Sequence, residues 1–191
     1  MKEQRTYKIE YRAEADSRMV EGYAALYDSD SNDLGGFTER IAPGAFDETD
    51  MSDTVALFNH DYNFPLAART NNSLEIIHDE KGIRYRFEMP NTSYGNDLLE
   101  LMRSGLVSQS SFAFTVRGED TKWEKDKDKY VRHINKIEKL YDVSPVTVPA
   151  YPDTSAAVRS LEQYKEEIKP QATADWLDSY LKILNLGQND N

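Results

Sequence analysis

A histidine ends a short apolar run in the segment VALFNHD, residues 55–61. His60 is one of three histidines in the chain, and it lies where a predicted strand ends, which would hold its side chain rigidly beside a cleft. A neutral imidazole there can take the proton of a serine hydroxyl, which is a weak nucleophile without such a base. A partly exposed histidine beside a turn explains the same residues, and the spacing alone favours that simpler interpretation.

Serine residues cluster at the start of another predicted strand, in LVSQSSFAFTV, residues 106–116. Ser108, Ser110 and Ser111 are most simply explained as turn residues where a loop enters the strand. The alternative is a nucleophile on a rigid strand, with neighbouring backbone N–H groups available to stabilise an oxyanion.

An aspartate interrupts an apolar pattern in LYDVSPVTVPAYPDT, residues 140–154. A buried carboxylate is costly without a partner, so Asp142 needs one if it lies inside the protein. Pairing with His60 would make Asp142 the acid that orients the imidazole. A surface lysine as partner, or plain exposure to solvent, explains the position equally well.

Other chemistries find little support in the sequence. The chain has no cysteine, which excludes disulfides, a cysteine nucleophile and thiolate metal sites. No histidines have metal-ligand spacing, the acidic loop 28–33 does not match an EF-hand, and no glycine-rich phosphate loop is present. We therefore expect neither a metal nor a cofactor. His78 is expected at the surface beside a turn. His133 is expected on the solvent face of a strand, with the role of third catalytic residue as the alternative.

Length and charge bound the class of protein. The 191 residues suit one domain with a short appendage. The formal net charge of −11 repels phosphate groups, so we expect no binding to nucleic acid or to an anionic membrane. The N-terminus has no apolar core of a signal peptide, and no apolar run is long enough to span a bilayer. We expect a soluble protein that stays intracellular where it is made.

Short strands separated by turn residues dominate the region 1–153, which predicts a mainly β (α+β) domain, a barrel or a sandwich. One helix is predicted over residues 93–105, and a hairpin turn at Lys81-Gly82. The composition changes after Asp153, where two helical patterns indicate a C-terminal helical appendage, residues 154–191.

Taken together and in order, five segments resemble the prohead protease family of tailed bacteriophages. They are EGYAALYD, ERIAPGAFDE, VALFNHD with the following PLAART, LELMRSGLVSQSSFAF, and LYDVSPVTVPAYPDT. Each segment is a weak signal alone, but the five in this order are specific, and they cover most of residues 10–159.

The resemblance implies a fold like that of the herpesvirus capsid-maturation protease: a closed or near-closed β-barrel of about seven strands with surrounding helices. It also implies an activity, that of a serine endopeptidase that acts inside the procapsid in the bacterial host cytoplasm. Expected substrates are the scaffolding protein or the scaffold-like segment of the major capsid protein, and the protease itself. A homodimer and contact with the portal protein are further expectations.

The resemblance also assigns roles to residues. His60 matches the family's asparagine-histidine motif and would be the general base. Ser111, directly before FAF, matches the nucleophile, with Ser110 as the alternative because the usual small neighbour of the serine is absent. Asp142 stands where many members carry glutamate and would be the third residue. His133 is its rival, because the herpesvirus enzyme uses a second histidine. The alternative function is a non-catalytic capsid assembly or scaffolding protein that keeps the protease barrel.

Overall fold

The computed structural model describes residues 2–8, 17–126, 129–147 and 157–168. The chain divides into two units, Met1–Thr154 and Ser155–Asn191. In the second unit residues 157–168 are helical, and the second helix predicted there, over 173–187, lies outside the described residues. None of the described helices is long and apolar enough to cross a membrane.

Eleven strands and one α-helix make up the described part of the first unit. The strands are β1 Lys2–Lys8, β2 Met19–Leu26, β3 Phe37–Ile41, β4 Val55–Phe58, β5 Asp61–Ala68, β6 Leu74–Asp79, β7 Gly82–Glu88, β8 Gln109–Thr115, β9 Thr121–Asp126, β10 Lys129–Ile134 and β11 Lys139–Val146. The helix α1 is Ser93–Arg103, and a 3-10 turn covers Gly118–Asp120. The prediction of a mainly β chain with one inserted helix is confirmed for this unit.

A five-stranded sheet in the order β1-β8-β11-β4-β5 carries the residues that the sequence singled out. Strand β8 lies between β1 and β11 and is antiparallel to both, whereas β11 and β4 are parallel. Neighbouring strands lie about 4.8 Å apart. Side chains from β8, from β11 and from the β4–β5 turn can therefore meet on one face although their residues are far apart in sequence.

The remaining strands form two three-stranded sheets, β3-β10-β9 and β2-β7-β6. The structure does not support the expected closed barrel of about seven strands, because the described strands hydrogen-bond in three separate sheets. Alternation of apolar and polar residues predicts strands and their buried faces, but it does not say which strand pairs with which. The predicted hairpin at Lys81-Gly82 is present as the antiparallel pair β6–β7.

Helix α1 leads into β8 and fixes where that strand begins. Thr92 caps its N-terminus, with the side-chain oxygen accepting a hydrogen bond from the Gly95 N–H at 3.1 Å. Leu98, Leu99 and Met102 are buried, as the spacing predicts. The helix ends where Gly105 takes a φ of +76°, the left-handed conformation that glycine adopts without a steric penalty.

The face of β8 opposite the site forms part of the hydrophobic core. Phe112 and Phe114 are completely buried and stack with their ring centroids 4.9 Å apart. Phe46, from the Pro43–Phe46 turn, lies 6.1 Å from the Phe112 ring. Burying one such side chain contributes roughly 1.5–3 kcal/mol, so β8 is firmly anchored in the core.

Four buried charged side chains link β1 to β3 and β10. This buried ion cluster consists of Glu3, Arg5, Glu39 and Arg132. Arg5 binds both carboxylates, and its Nη2 lies 2.8 Å from Glu39 Oε1. Arg132 Nη1 lies 2.8 Å from the same Glu39 oxygen and 2.9 Å from Glu3 Oε2. Two cations and two anions therefore neutralise each other inside the protein.

Candidate active site

His60 occupies the second position of a two-residue turn between β4 and β5. Phe58 pairs with Asp61, which leaves Asn59 and His60 as the loop. Both loop residues have a positive φ, +54° and +60°, which is the feature of a type I′ hairpin turn. A residue other than glycine in that conformation costs on the order of 1 kcal/mol or more, and such costs cluster at functional sites. The turn holds the imidazole against the sheet, and the His60 side chain is only 8% exposed.

Asn59 ties this turn to the end of β11. Its backbone N–H donates to the carbonyl oxygen of Pro145 at 3.0 Å, and its side-chain oxygen accepts from the Thr147 N–H at 3.0 Å. Asparagine is among the few residues that tolerate a positive φ, so it can form the turn and this anchor together. The histidine is thereby fixed relative to β11.

Ser111 lies in the middle of β8 and is completely buried. It pairs with Thr6 of β1 on one side and with Ser144 of β11 on the other, so its backbone is held by both neighbouring strands. Its Oγ lies 2.6 Å from Nε2 of His60. Sequence reasoning proposed this contact, and the structure contains it.

Ser110 points to the opposite face of β8, since successive side chains alternate across a strand. Its Oγ lies 3.1 Å from the hydroxyl of Tyr85 in the core. Ser108 precedes the strand. Of the three serines in this segment, Ser111 is the one that the structure places against the imidazole.

Asp142 lies in β11, next to a bulge between Leu140 and Asp142, and its side chain is completely buried. Its Oδ1 lies 2.5 Å from Nδ1 of His60 and accepts a hydrogen bond from the hydroxyl of Ser144 at 3.0 Å. Its Oδ2 accepts from the ammonium of Lys2 at 3.2 Å. Both carboxylate oxygens are therefore occupied by donors.

The charge state of Asp142 follows from these contacts. Burial raises the pKa of its carboxyl, but the hydrogen bond from His60 and the positive charge of Lys2 outweigh burial, and the pKa lies below its ordinary value of 3.8. An ionised carboxylate can only accept a hydrogen bond, so the neutral imidazole carries its hydrogen on Nδ1 and donates it to Asp142. Its Nε2 then presents a lone pair to the hydroxyl of Ser111.

The other two histidines lie elsewhere. His133 is in β10, in a different sheet, and its Nε2 lies 3.0 Å from Glu124 Oε2. His78 is exposed near the end of β6, as the sequence predicts. Asp142, and not His133, contacts His60. Within the ranges that the structure describes, no group of three potential metal-ligating side chains is present.

Three structural features of the site were not predicted from the sequence. Ser144 could have been found, because it lies two residues after Asp142 and alternation places both on one face. Two other features could not have been found from the sequence: the positive φ angles of the Asn59-His60 turn and the contact of Lys2 with Asp142. Both depend on strand pairing over long sequence separations.

Comparison with known proteins identifies the family. The family model of caudovirus prohead serine proteases matches residues 5–169. The chain belongs to this family. Among solved structures, the capsid assembly protease of bacteriophage T4 matches with 9% sequence identity and a TM-score of 0.39, over 74% of this chain and 98% of that one. Similarity at that level adds nothing to the family assignment, which rests on the sequence match. A comparison with curated proteins gave no significant match.

Proposed function

We propose that this family member is an active serine endopeptidase in which Ser111 is the nucleophile, His60 the general base and Asp142 the acid that orients the base. One observation carries the proposal: a continuous hydrogen-bonded chain runs from Ser111 Oγ through both ring nitrogens of His60 to Asp142 Oδ1, with distances of 2.6 and 2.5 Å. This is the order of groups by which a Ser-His-Asp triad carries out nucleophilic hydrolysis.

In the proposed reaction Ser111 Oγ attacks the carbonyl carbon of the scissile peptide bond while Nε2 of His60 takes the hydroxyl proton. The C–O bond forms, and the carbonyl electron pair moves onto the oxygen, where backbone N–H donors are typically worth ~3–4 kcal/mol each. The imidazolium returns its proton to the leaving amine as the C–N bond breaks. Water then repeats the cycle on the acyl-enzyme, and Asp142 stabilises the imidazolium in both halves.

We propose that the substrates are proteins of the immature capsid: the scaffolding protein or the scaffold-like segment of the major capsid protein, and the protease itself. Membership of the prohead protease family supports this class of substrate. Action within the procapsid in the host cytoplasm, a homodimer and contact with the portal protein belong to the same proposal.

Co-expression with the capsid protein of the same phage tests the function. We expect specific cleavage of the capsid or scaffolding protein with the wild type, and loss of cleavage with Ser111→Ala while particles still assemble. Ser110→Ala is the matched control, because it removes the adjacent hydroxyl on the opposite face of β8 and should leave cleavage in place. Processing that is unchanged in Ser111→Ala would contradict the assignment and would favour the alternative of a non-catalytic assembly protein.

A further inference from the structure

Strand β1 lies at the edge of the five-stranded sheet, directly beside the strand that carries Ser111. Its register with β8 pairs Lys2 with Thr115 and Thr6 with Ser111. Because paired residues of neighbouring strands face the same side, Lys2 projects from the same face of the sheet as Ser111 and Asp142. The N-terminal strand therefore borders the site.

Lys2 is held in a defined position on that face. Its Nζ lies 3.2 Å from Asp142 Oδ2 and 3.3 Å from the hydroxyl of Tyr62. The same ammonium lies 5.3 Å from the centroid of the Tyr62 ring and 5.1 Å from that of Tyr141, within the range of a cation–π interaction. The Lys2 side chain is 36% exposed, whereas Asp142 is completely buried.

We propose that Lys2 is a positioning residue of the protease site: its ammonium holds Oδ2 of Asp142 and so keeps Oδ1 directed at Nδ1 of His60. The inference rests on the proposed function, and it adds a cation from the N-terminal strand to the serine, histidine and aspartate. Lys2 does not contact the reacting atoms, and it acts through the orientation and charge of the carboxylate.

The electrostatics of the two groups agree with this role. Burial lowers the pKa of Lys2, but the charge of Asp142 and the hydrogen bonds to Asp142 and Tyr62 together outweigh burial and raise the pKa above 10.5. The pKa of Asp142 is lowered although burial opposes it. Each group therefore stabilises the charged form of the other. The groups that face Asp142 are Lys2 from β1, His60 from the β4–β5 turn and Ser144 from β11 itself, with Tyr62 of β5 reaching it through Lys2.

A merely structural role for Lys2 makes a different prediction. Strand β1 is also held by backbone pairing along its whole length with β8 and by Glu3 and Arg5 of the buried ion cluster. Loss of the Lys2 ammonium should leave β1 in place. A change in the reactivity of Ser111 and in its pH dependence is then the sign of positioning, and a structural role would change only the stability.

A reagent that does not depend on the natural substrate can measure this reactivity. In an alkyl fluorophosphonate, the oxygen of the active serine attacks phosphorus, the P–O bond forms, fluoride leaves and the base takes the hydroxyl proton. The second-order rate constant of this labelling is measured between pH 5 and pH 9 for the wild type, Ser111→Ala, Lys2→Met, Lys2→Arg and Lys139→Met. Methionine keeps an unbranched apolar side chain of similar length over the rings, and arginine keeps the charge.

Lys139→Met is the matched control, because Lys139 also lies against the Tyr141 ring, at 5.5 Å, but pairs with Asp50 and Asp53 instead of Asp142. We expect Lys2→Met to slow labelling about fivefold at pH 7, the size of effect that a partly exposed ion pair provides. The acid limb of its pH–rate profile should move to higher pH, because the positive charge of Lys2 no longer opposes uptake of a proton by the hydrogen-bonded pair of His60 and Asp142. Lys2→Arg should stay within about twofold of the wild type, since the charge remains, and Lys139→Met should not differ from it.

Equal rates and equal pH profiles for the wild type and Lys2→Met would overturn the inference. So would equal losses in Lys2→Met and Lys139→Met, which would assign the effect to the tyrosine ring. Failure of the proposed function is distinguishable from either outcome, because it would appear as a wild type whose labelling does not depend on Ser111.

Discussion

The two faces of strand β1 carry two different groups of buried charges. On one face Glu3 and Arg5 join Glu39 and Arg132 in the buried ion cluster, where each cation contacts both anions. On the other face Lys2 meets the candidate active site. There a single buried carboxylate is shared between the ammonium of a partly exposed lysine and a histidine.

The two groups of charges differ in whether they can transfer a proton to or from a reacting hydroxyl. The carboxylates of the cluster are held between two arginines, and the net charge of the four side chains is zero. In the site, Asp142 binds one nitrogen of His60, and the other nitrogen lies against the hydroxyl of Ser111, which can give up a proton. A closed set of ions fixes strands together, whereas a chain of groups that ends on a hydroxyl can transfer a proton.

The largest expected effect on activity, apart from loss of Ser111 itself, comes from Asp142→Asn. An amide of the same shape presents the wrong partner to Nδ1 and favours the tautomer that cannot accept the proton of Ser111, so kcat should fall about 10⁴-fold with the fold retained. Steady-state cleavage of the capsid protein with circular dichroism as the fold check measures this. An activity within tenfold of the wild type would remove Asp142 from the mechanism.

The matching change in the buried ion cluster should act on stability. Glu39→Ala leaves two buried guanidinium groups with Glu3 as the one carboxylate that both still contact, and breaking such a set typically costs about 3–5 kcal/mol of the free energy of unfolding. Urea unfolding measures the loss, and the residual activity of the folded fraction should match that of the wild type. A folded variant with greatly reduced kcat would show that the two faces of β1 are coupled more closely than their contacts indicate.

The same carboxylates make stability depend on pH. Burial raises the pKa of Glu39, but the charges and hydrogen bonds of Arg5 and Arg132 together outweigh burial and lower the pKa below 4.5. The pKa of Asp142 is lowered below 3.8. The unfolded chain therefore takes up these protons at a higher pH than the folded chain does. The stabilisation that the two ionised carboxylates give to the folded state is complete at a pH above their ordinary pKa values. It is lost as the pH falls below those values.

We expect the free energy of unfolding, measured in urea from pH 6 to pH 3, to fall more steeply for the wild type than for Glu39→Gln. Glu48→Gln is the control: Lys136 lowers the pKa of Glu48 too, but the pair is exposed and screened by solvent, so this variant should change the slope much less than Glu39→Gln does. Equal slopes for the wild type and Glu39→Gln would show that Glu39 gains no stabilisation from its arginines.

A much smaller effect than that of Asp142→Asn is expected for Ser144→Ala. This variant removes the hydrogen bond to Oδ1 of Asp142 and the longer 3.4 Å contact with Nδ1 of His60, and it leaves the contact between Asp142 and His60 in place. A loss of about 1–1.5 kcal/mol corresponds to roughly a tenfold fall in kcat, with KM unchanged because Ser144 acts on the carboxylate and not on the substrate. Restoration by Ser144→Thr, and a change confined to kcat, would distinguish positioning from a general loss of packing.

Local features of the fold were predictable from sequence, whereas the pairing between distant segments was not. The helix at 93–105 and the hairpin at Lys81-Gly82 follow from short-range signals, and both are present. The prediction of a closed barrel is not supported by the structure, because closure depends on which strands become neighbours. His60 and Ser111 were identified only through the order of family motifs, since each alone had a simpler explanation.

Long-range pairing also hid two parts of the site. Lys2 reaches Asp142 because β1 and β11 lie on either side of β8, a fact that no spacing in the sequence conveys. In the Asn59-His60 turn asparagine suits the first position, but His60 adopts a conformation usually found for glycine, so local preference argued against this turn. At both positions contacts between distant strands, and not local sequence preference, determine the conformation.

Location of a covalent adduct tests the central claim most directly. The folded protein is treated with the fluorophosphonate at neutral pH, digested, and sequenced by fragmentation in the mass spectrometer, which separates Ser110 from Ser111. The account predicts a single adduct on Ser111 in the wild type and none in His60→Ala. An adduct on another serine, or labelling of Ser111 that persists without His60, would contradict it.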